Sequence, residues 1–144
     1  SSIKSLVVKL GTTLLSNEQG FDGSVLERLV TDLARVKRER DLNLLMVSSG
    51  AMGCGMDRLG MRERPTLLRL KQATAAVGQA RLMNIYETLF QGCGEGLKTA
   101  QVLLSTYDLD NRQSYFNVRN TINTLFEFGD LIPIVNENDS TSPD

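Results

Sequence analysis

Histidine is absent from this chain of 144 residues, and only two cysteines occur. The absence of histidine excludes every mechanism in which a histidine of this chain acts as base, nucleophile or metal ligand. Cys54 and Cys93 have no CxxC spacing, so the sequence predicts neither a zinc site nor a disulfide framework. We expect two reduced thiols in an intracellular protein instead.

Long apolar runs and an excess of one charge are also missing. No run approaches the roughly 20 apolar residues of a membrane span, and no charged-then-apolar leader precedes the first predicted strand. The 16 basic and 17 acidic residues give a net charge of −1, whereas proteins that bind a nucleic acid backbone usually carry a strong basic excess. We therefore predict a cytoplasmic protein with no membrane and no nucleic acid partner.

The composition is that of a globular domain. Hydrophobic residues make up 41% and charged residues 23%, which is close to the average of soluble globular proteins. A chain of 144 residues has room for one domain with a substantial buried core. These values argue against the disordered and low-complexity classes of protein.

Short apolar segments alternate with longer helical patterns along the chain. Strands are predicted over residues 6–10, 42–47, 99–104 and 131–135, and helices over residues 24–40, 65–90 and 110–128. This alternation is typical of βαβ units. The sequence therefore predicts an α/β fold with a mostly parallel sheet flanked by helices.

Polar residues and glycines follow three of the predicted strands. They form clusters at residues 9–13, 48–51 and 136–139. Ligands of parallel α/β sheets bind outside the carboxyl ends of the strands, so we expect the three clusters to converge on one site. This convergence, more than any single residue, indicates function.

The first two clusters suit an anion. Lys9 can present a cation beside Gly11, where the backbone amides of Gly11 and Thr12 add hydrogen bonds. Ser49 and Gly50 precede a helix-like segment, and free amides at a helix N-terminus bind carboxylates and phosphates. Each cluster also has a structural alternative. Lys9 can simply reach solvent from a strand end, and Ser49 can be an ordinary helix cap.

The third cluster combines carboxylates with side-chain amides. Glu137 and Asp139 can ligate Mg²⁺ or hold an ammonium group, and Asn136 and Asn138 can bind a carboxylate. A polar turn after a strand is the structural alternative.

Several other features are predicted to be structural. We interpret residues 53–55 as a glycine-rich turn, with Cys54 a buried bystander. Gly78, in the middle of the long helix, predicts close packing of helices within the chain or between subunits. Arg81 and Lys71 are predicted on the solvated face of that helix. Its predicted apolar stripe comprises Leu67, Leu70, Ala73, Val77, Leu82, Ile85 and Leu89.

Taken together, these segments resemble the amino acid kinase family, and within it the members that phosphorylate glutamate. The matching segments are residues 7–12, 47–51, 75–79, 81–82, 101–104, 117–121 and 132–139. The lysine–glycine pattern of the first strand is shared across the family. The Ala-Ala-Val-Gly-Gln helix and the Asn-Glu-Asn-Asp segment are much more specific to the glutamate-phosphorylating members.

The resemblance implies an amino acid kinase-like αβα sandwich. It also implies transfer of the γ-phosphoryl group of ATP, with Mg²⁺, to the γ-carboxylate of L-glutamate, in the first step of proline biosynthesis. Lys9 would contact the transferring phosphate, and Gly11 and Thr12 would lie in the phosphate loop. The implied substrate-binding residues are Ser49, Gly50, Ala51, Asn136 and Asp139.

The resemblance further implies feedback inhibition by L-proline and a homo-oligomer. The family pattern continues beyond residue 139 into a Gly-Asp-Asn-Asp segment and a nucleotide-binding lobe, which this sequence does not contain. Residues 1–144 are therefore expected to be a truncated amino acid kinase domain, its glutamate-binding portion, without turnover by itself. The alternatives are a kinase for another acid and a non-catalytic module for ligand binding or oligomerisation.

Overall fold

The computed structural model describes residues 4–11, 16–17, 20–21, 23–94, 96–104 and 110–136. In chain order these residues form β1 (Ser5–Leu10), β2 (Ser16–Asn17), β3 (Gly20–Phe21), α1 (Gly23–Arg40), β4 (Asn43–Ser48), α2 (Ala51–Leu59), α3 (Leu68–Gln91), β5 (Lys98–Leu103), α4 (Arg112–Glu127) and β6 (Leu131–Asn136). The search for a membrane-spanning helix within these ranges finds none.

Four strands form one parallel sheet in the order β1, β4, β6 and β5. The predicted α/β fold with a parallel sheet is thereby confirmed. Strands β2 and β3 form an antiparallel pair, in a segment where the sequence predicted neither a strand nor a helix. Each of these strands has only two residues, and so short a segment carries no periodic signal in the sequence.

The carboxyl ends of the four parallel strands are in register. Leu10 pairs with Ser48, Ser48 with Asn136, and Asn136 with Leu103. One row of residues therefore crosses the whole sheet at this edge. The segments that follow β1, β4 and β6 all leave the sheet from the same line.

Helices cover both faces of the sheet. The apolar core lies between one face and the helices α1 and α3, and its largest members are Leu10, Leu26, Leu44, Met46, Leu82, Tyr86, Phe90, Ile132 and Ile134. The connection from β5 to β6 runs back across the sheet, opposite to the two connections before it. Because such crossovers are right-handed, α4 lies on the other face, against β5 and β6.

The ends of α1 follow from its sequence. Its buried positions, Leu26, Val30, Leu33 and Ala34, recur every three or four residues. Basic residues occupy the last turn, where they complement the negative end of the helix dipole. The chain leaves the helix at Asp41, whose φ of 51° lies in the left-handed region that aspartate tolerates.

Two predicted boundaries are wrong. Residues 53–55 are part of α2 rather than a turn. The long helix begins at Leu68 instead of Pro65, because Leu67 is extended, with ψ at 133°. Its buried face also differs from the predicted stripe and comprises Thr74, Ala75, Gly78, Leu82, Tyr86 and Phe90.

The buried face of α3 differs from the predicted stripe because α2 and α3 are in close contact. A Cβ atom at Gly78 would lie 1.6 Å from the carbonyl oxygen of Ala51, and one at Gly55 would lie 1.9 Å from that of Thr74. The two glycines therefore let the helix backbones touch. Gly78 does mark close helix packing, and this packing lies within the chain.

Replacing Gly78 by alanine tests this contact. An alanine favours an isolated helix by about 1 kcal/mol, but here its methyl group meets backbone that cannot rotate away. We expect Gly78→Ala to lower the free energy of unfolding by about 3 kcal/mol, measured by urea denaturation. Gly53→Ala is the matched control, because a Cβ there meets no described atom within 4 Å. Equal stability of the two variants would contradict the close contact.

Candidate functional site

The turn between β4 and α2 is built around Gly50. Its φ of 108° and ψ of 2° lie in a region that side chains rarely allow, and it occupies the N-cap position of α2. Among the described residues, no side chain caps this helix. The alternative in which Ser49 is an ordinary helix cap is therefore wrong.

Ser49 instead fastens this turn to β1. Its backbone N–H donates to the carbonyl oxygen of Leu10 at 3.1 Å, and its hydroxyl donates to the same oxygen at 3.2 Å. Ser49 is buried, at 7% exposure. The end of β1 is thus held directly beside the N-terminus of α2.

The first turn of α2 presents backbone amides. Its first intrahelical hydrogen bond runs from the N–H of Cys54 to the carbonyl oxygen of Gly50, at 3.0 Å. The amides of Ala51, Met52 and Gly53 precede that bond, so they have no acceptor within the helix. Together with the helix dipole they form a partial positive charge that suits a carboxylate or a phosphate.

The first predicted cluster lies next to this turn. Gly11 directly follows the residue that Ser49 binds, and a Cβ at Gly11 would meet no described atom within 4 Å. Lys9 is exposed, on the opposite face of β1 from the buried Leu10. Thr12 lies outside the described residues.

Asn136 completes the row of strand ends. It pairs with Ser48 and is 8% exposed. Its side-chain oxygen, Oδ1, is buried and has no hydrogen-bond partner among the described residues. A buried polar atom without a partner costs about 1–3 kcal/mol, so Oδ1 points to a ligand or to a further part of the chain. Asp139 lies outside the described residues.

The structure therefore brings Gly11, the 49–51 turn and Asn136 to one edge. Adjacent strands lie about 4.8 Å apart, so β1, β4 and β6 place these groups within about 10 Å. The connection after β4 leads to helices on one face, and the connection after β5 leads to α4 on the other. Strand β6 ends between them, which is the arrangement that forms a ligand crevice in open α/β sheets.

Two side chains of α3 make contacts that the sequence did not predict. The Tyr86 hydroxyl lies 2.7 Å from Oγ of Ser48, and both residues are fully buried. Arg81 was predicted on a solvated face. Instead, its Nη1 donates to Asp57 Oδ2 at 2.7 Å and to the carbonyl oxygen of Cys54 at 3.2 Å. A spacing of four residues from Gly78 to Leu82 to Tyr86 is the signal that could have indicated the inward position of Tyr86.

The remaining reactive groups do not add chemistry to the edge. Within the described ranges, no three His, Cys, Asp or Glu side chains lie close enough to share a metal ion. Cys54 is a free thiol with no exposed surface, and burial raises its pKa, as expected for an unreactive core residue.

Comparison with known proteins gives a family. The model of the amino acid kinase family matches residues 4–144. The chain belongs to the amino acid kinase family. The α/β fold and its parallel sheet agree with this assignment.

Three similar curated proteins are named glutamate 5-kinase. Glutamate 5-kinase of Pelobacter propionicus is 44% identical over 139 residues, which cover 96% of this chain and 36% of that protein. Glutamate 5-kinase of Synechococcus elongatus is 45% identical over 141 residues, covering 96% and 37%. Glutamate 5-kinase of Cyanothece sp. is 46% identical over 143 residues, covering 98% and 38%. The chain thus spans somewhat more than a third of the length of these relatives.

The buried Tyr86 hydroxyl makes the free energy of unfolding depend on pH in the alkaline range. Burial raises the pKa of Tyr86 to about 12, whereas an unfolded tyrosine ionises near pH 10. Between these values the folded state holds the proton more tightly, so stability falls as pH rises. We expect the unfolding free energy of the wild type, relative to Tyr86→Phe, to be constant below pH 10.

Above pH 10 this difference should decline toward pH 12, by at most about 1.4 kcal/mol per pH unit. Urea denaturation of both proteins in parallel measures it, because every other titrating group is common to the two. A difference that stays constant from pH 9 to pH 12 would show that Tyr86 ionises alike in the folded and unfolded states.

Proposed function

We propose that this chain is the glutamate-binding portion of a kinase that transfers the γ-phosphoryl group of ATP to the γ-carboxylate of L-glutamate. The product is glutamyl 5-phosphate, in the first step of proline biosynthesis. The observation that carries the proposal is the gathering of anion-suited groups at the sheet edge of an amino acid kinase family member. Relatives named glutamate 5-kinase, 44% to 46% identical, support the choice of substrate.

The β1 side of the edge receives the phosphate in this proposal. The Lys9 ammonium contacts the transferring phosphoryl group, where negative charge concentrates in the transition state. Gly11 and Thr12 form the adjoining phosphate loop, and the open space at Gly11 fits a close approach of the backbone to a phosphate. Phosphoryl transfer depends on such positioning and charge stabilisation, and a carboxylate nucleophile needs no base at neutral pH. A chain without histidine can therefore contribute fully to this reaction.

The β4 and β6 sides hold the amino acid. The backbone amides of Gly50 and Ala51, with the Ser49 hydroxyl, bind a carboxylate of glutamate. Asn136 hydrogen-bonds the α-amino and α-carboxylate region, which gives its buried oxygen a partner. Asp139 pairs with the ammonium group. L-Glutamate carries charges of both signs, so it matches a site that joins amides to a carboxylate.

Mg²⁺ is proposed as the partner of ATP, and when bound it neutralises charge on the phosphate oxygens. Oxygen is the ligand that Mg²⁺ prefers, and the Glu137 carboxylate follows Asn136 directly in the chain. This donor type would fit the ion, while the Asn136 oxygen serves the amino acid.

The wider properties of the protein follow as parts of the same proposal. We propose a cytoplasmic homo-oligomer that L-proline inhibits. Both cysteines are free thiols, which fits a reducing compartment. Exposed leucines at the junction of α2 and α3, namely Leu59, Leu67, Leu68 and Leu70, fit a subunit contact.

A non-catalytic ligand-binding module is the second candidate. The same edge would serve it, because the amides of α2 and the Asn136 oxygen can bind a ligand whether or not a reaction follows. In that case the 144 residues bind L-glutamate or L-proline without forming ADP.

The deciding experiment is a coupled assay of ADP formation with the complete protein that carries this chain. We expect turnover with L-glutamate and none with D-glutamate or L-aspartate. Phosphorylation of L-aspartate in preference would favour a kinase for another acid. Absence of turnover, with L-glutamate binding by calorimetry, would favour the non-catalytic module.

Removing the Lys9 ammonium tests its proposed role. We expect Lys9→Met to lower kcat about 10²–10³-fold, because a donor aimed at transition-state charge is lost, with little change in the KM for glutamate. Lys4→Met, another exposed lysine just before the same strand, is the matched control and should stay within about twofold of wild type. Equal activity of both variants would remove Lys9 from the reaction.

A further inference from the structure

A directional chain of hydrogen bonds runs from α3 to the turn after β4. The Ser48 hydroxyl donates to the carbonyl oxygen of Ser49 at 3.1 Å. Its oxygen also lies 2.7 Å from the Tyr86 hydroxyl. Either hydroxyl can donate across this contact, and when the single proton of Ser48 is given to Ser49 the Tyr86 hydroxyl is the donor. The order is therefore Tyr86 to Ser48 to the carbonyl of Ser49.

The bonded carbonyl determines where the next amide points. The peptide between Ser49 and Gly50 is trans, so its C=O and N–H groups point in opposite directions. The C=O accepts from the buried hydroxyl of Ser48. The N–H of Gly50 must then point away from the core. This is also the peptide whose rotation would change the left-handed φ of Gly50.

We propose that Tyr86 is a positioning residue which, through Ser48, keeps the Gly50 N–H aimed at the bound carboxylate. This inference rests on the proposed function and assigns to that site a residue that touches no substrate. Ser49 is held to β1 by its own N–H and hydroxyl, but neither of those bonds constrains the following peptide. The hydroxyl chain alone opposes a flip of the Ser49–Gly50 peptide among the described contacts.

A purely structural role in the core would not require the hydrogen bonds that the Tyr86 hydroxyl makes. A phenylalanine would fill the same apolar space between β4 and α3. A buried hydroxyl needs a partner, and the partner here is the last residue of β4, one position before the turn. Loss of the hydroxyl leaves the Ser48 hydroxyl free to rotate away from Ser49. The amide that binds the carboxylate then samples the flipped orientation.

The test compares Tyr86→Phe, Ser48→Ala and the double variant in the complete protein. Because the amide contacts the substrate before and during the reaction alike, its loss changes KM more than kcat. We expect the KM for L-glutamate to rise about 5- to 20-fold in each single variant, with kcat and the KM for ATP within about twofold. The double variant should be no worse than Ser48→Ala, because both changes break one chain. Tyr115→Phe, an exposed tyrosine on α4, is the matched control and should change nothing.

A second readout does not require activity. With ¹⁵N-glycine labelling, the Gly50 amide should give one sharp signal in the wild type. In Tyr86→Phe it should show millisecond exchange between two states, while the amide of Gly92 stays unchanged. These signals test the hydroxyl chain even if the wild type proves unable to phosphorylate L-glutamate, so the two proposals fail separately.

Three results would overturn the inference. One is a glutamate KM within twofold of wild type in both single variants. Another is an additive effect in the double variant. The third is an unchanged, single Gly50 signal in Tyr86→Phe. A fall of kcat in proportion to the unfolded fraction, with both KM values unchanged, belongs to the first of these results and would assign Tyr86 to stability alone.

Discussion

The direct backbone contact between α2 and α3 is the constraint on which the rest of the site depends. Gly55 and Gly78 allow it, because a Cβ at either position would lie within 2 Å of a carbonyl oxygen of the other helix. Arg81 adds a charged contact to Asp57 at the edge of the same interface. When α2 packs in this way, its N-terminus lies next to the row formed by Leu10, Ser48 and Asn136. Two glycines in helices are costly in isolation, and this packing is what offsets the cost.

The site that results is made largely of backbone. Gly50 supplies a positive φ, α2 supplies amides without helical acceptors, and Gly11 leaves space beside them. Backbone dipoles need little reorganisation when an anion arrives, since the surrounding packing already holds them. Under the proposed function, a chain without histidine is sufficient at such a site, because charge placement matters more than proton transfer in phosphoryl transfer. The buried hydroxyls of Tyr86 and Ser48 extend the same principle by orienting one peptide group.

Much of the fold was predictable because its strands are short apolar runs with clear ends. The parallel sheet, its four strands and the meeting of residues 9–11, 48–51 and 136 at one edge followed from that pattern. For Gly11, Ser49 and Asn136 the structure agrees with the expected placement at this edge. Thr12 and Asp139 lie outside the described residues, so their placement stays a prediction.

The sequence by itself determined the order of the four sheet strands and the three long helices, the clusters at strand ends and the kind of chemistry that the missing histidine leaves open. Those properties are local, since they depend on periodicity and residue type. Only the tertiary structure decided that residues 53–55 are helical, that Ser49 binds β1 instead of capping α2, and that Tyr86 meets Ser48. Each of these depends on atoms distant in the chain. In the sequence, a pair of glycines predicts a turn. Only the structure shows that a second backbone occupies the space where a side chain would be.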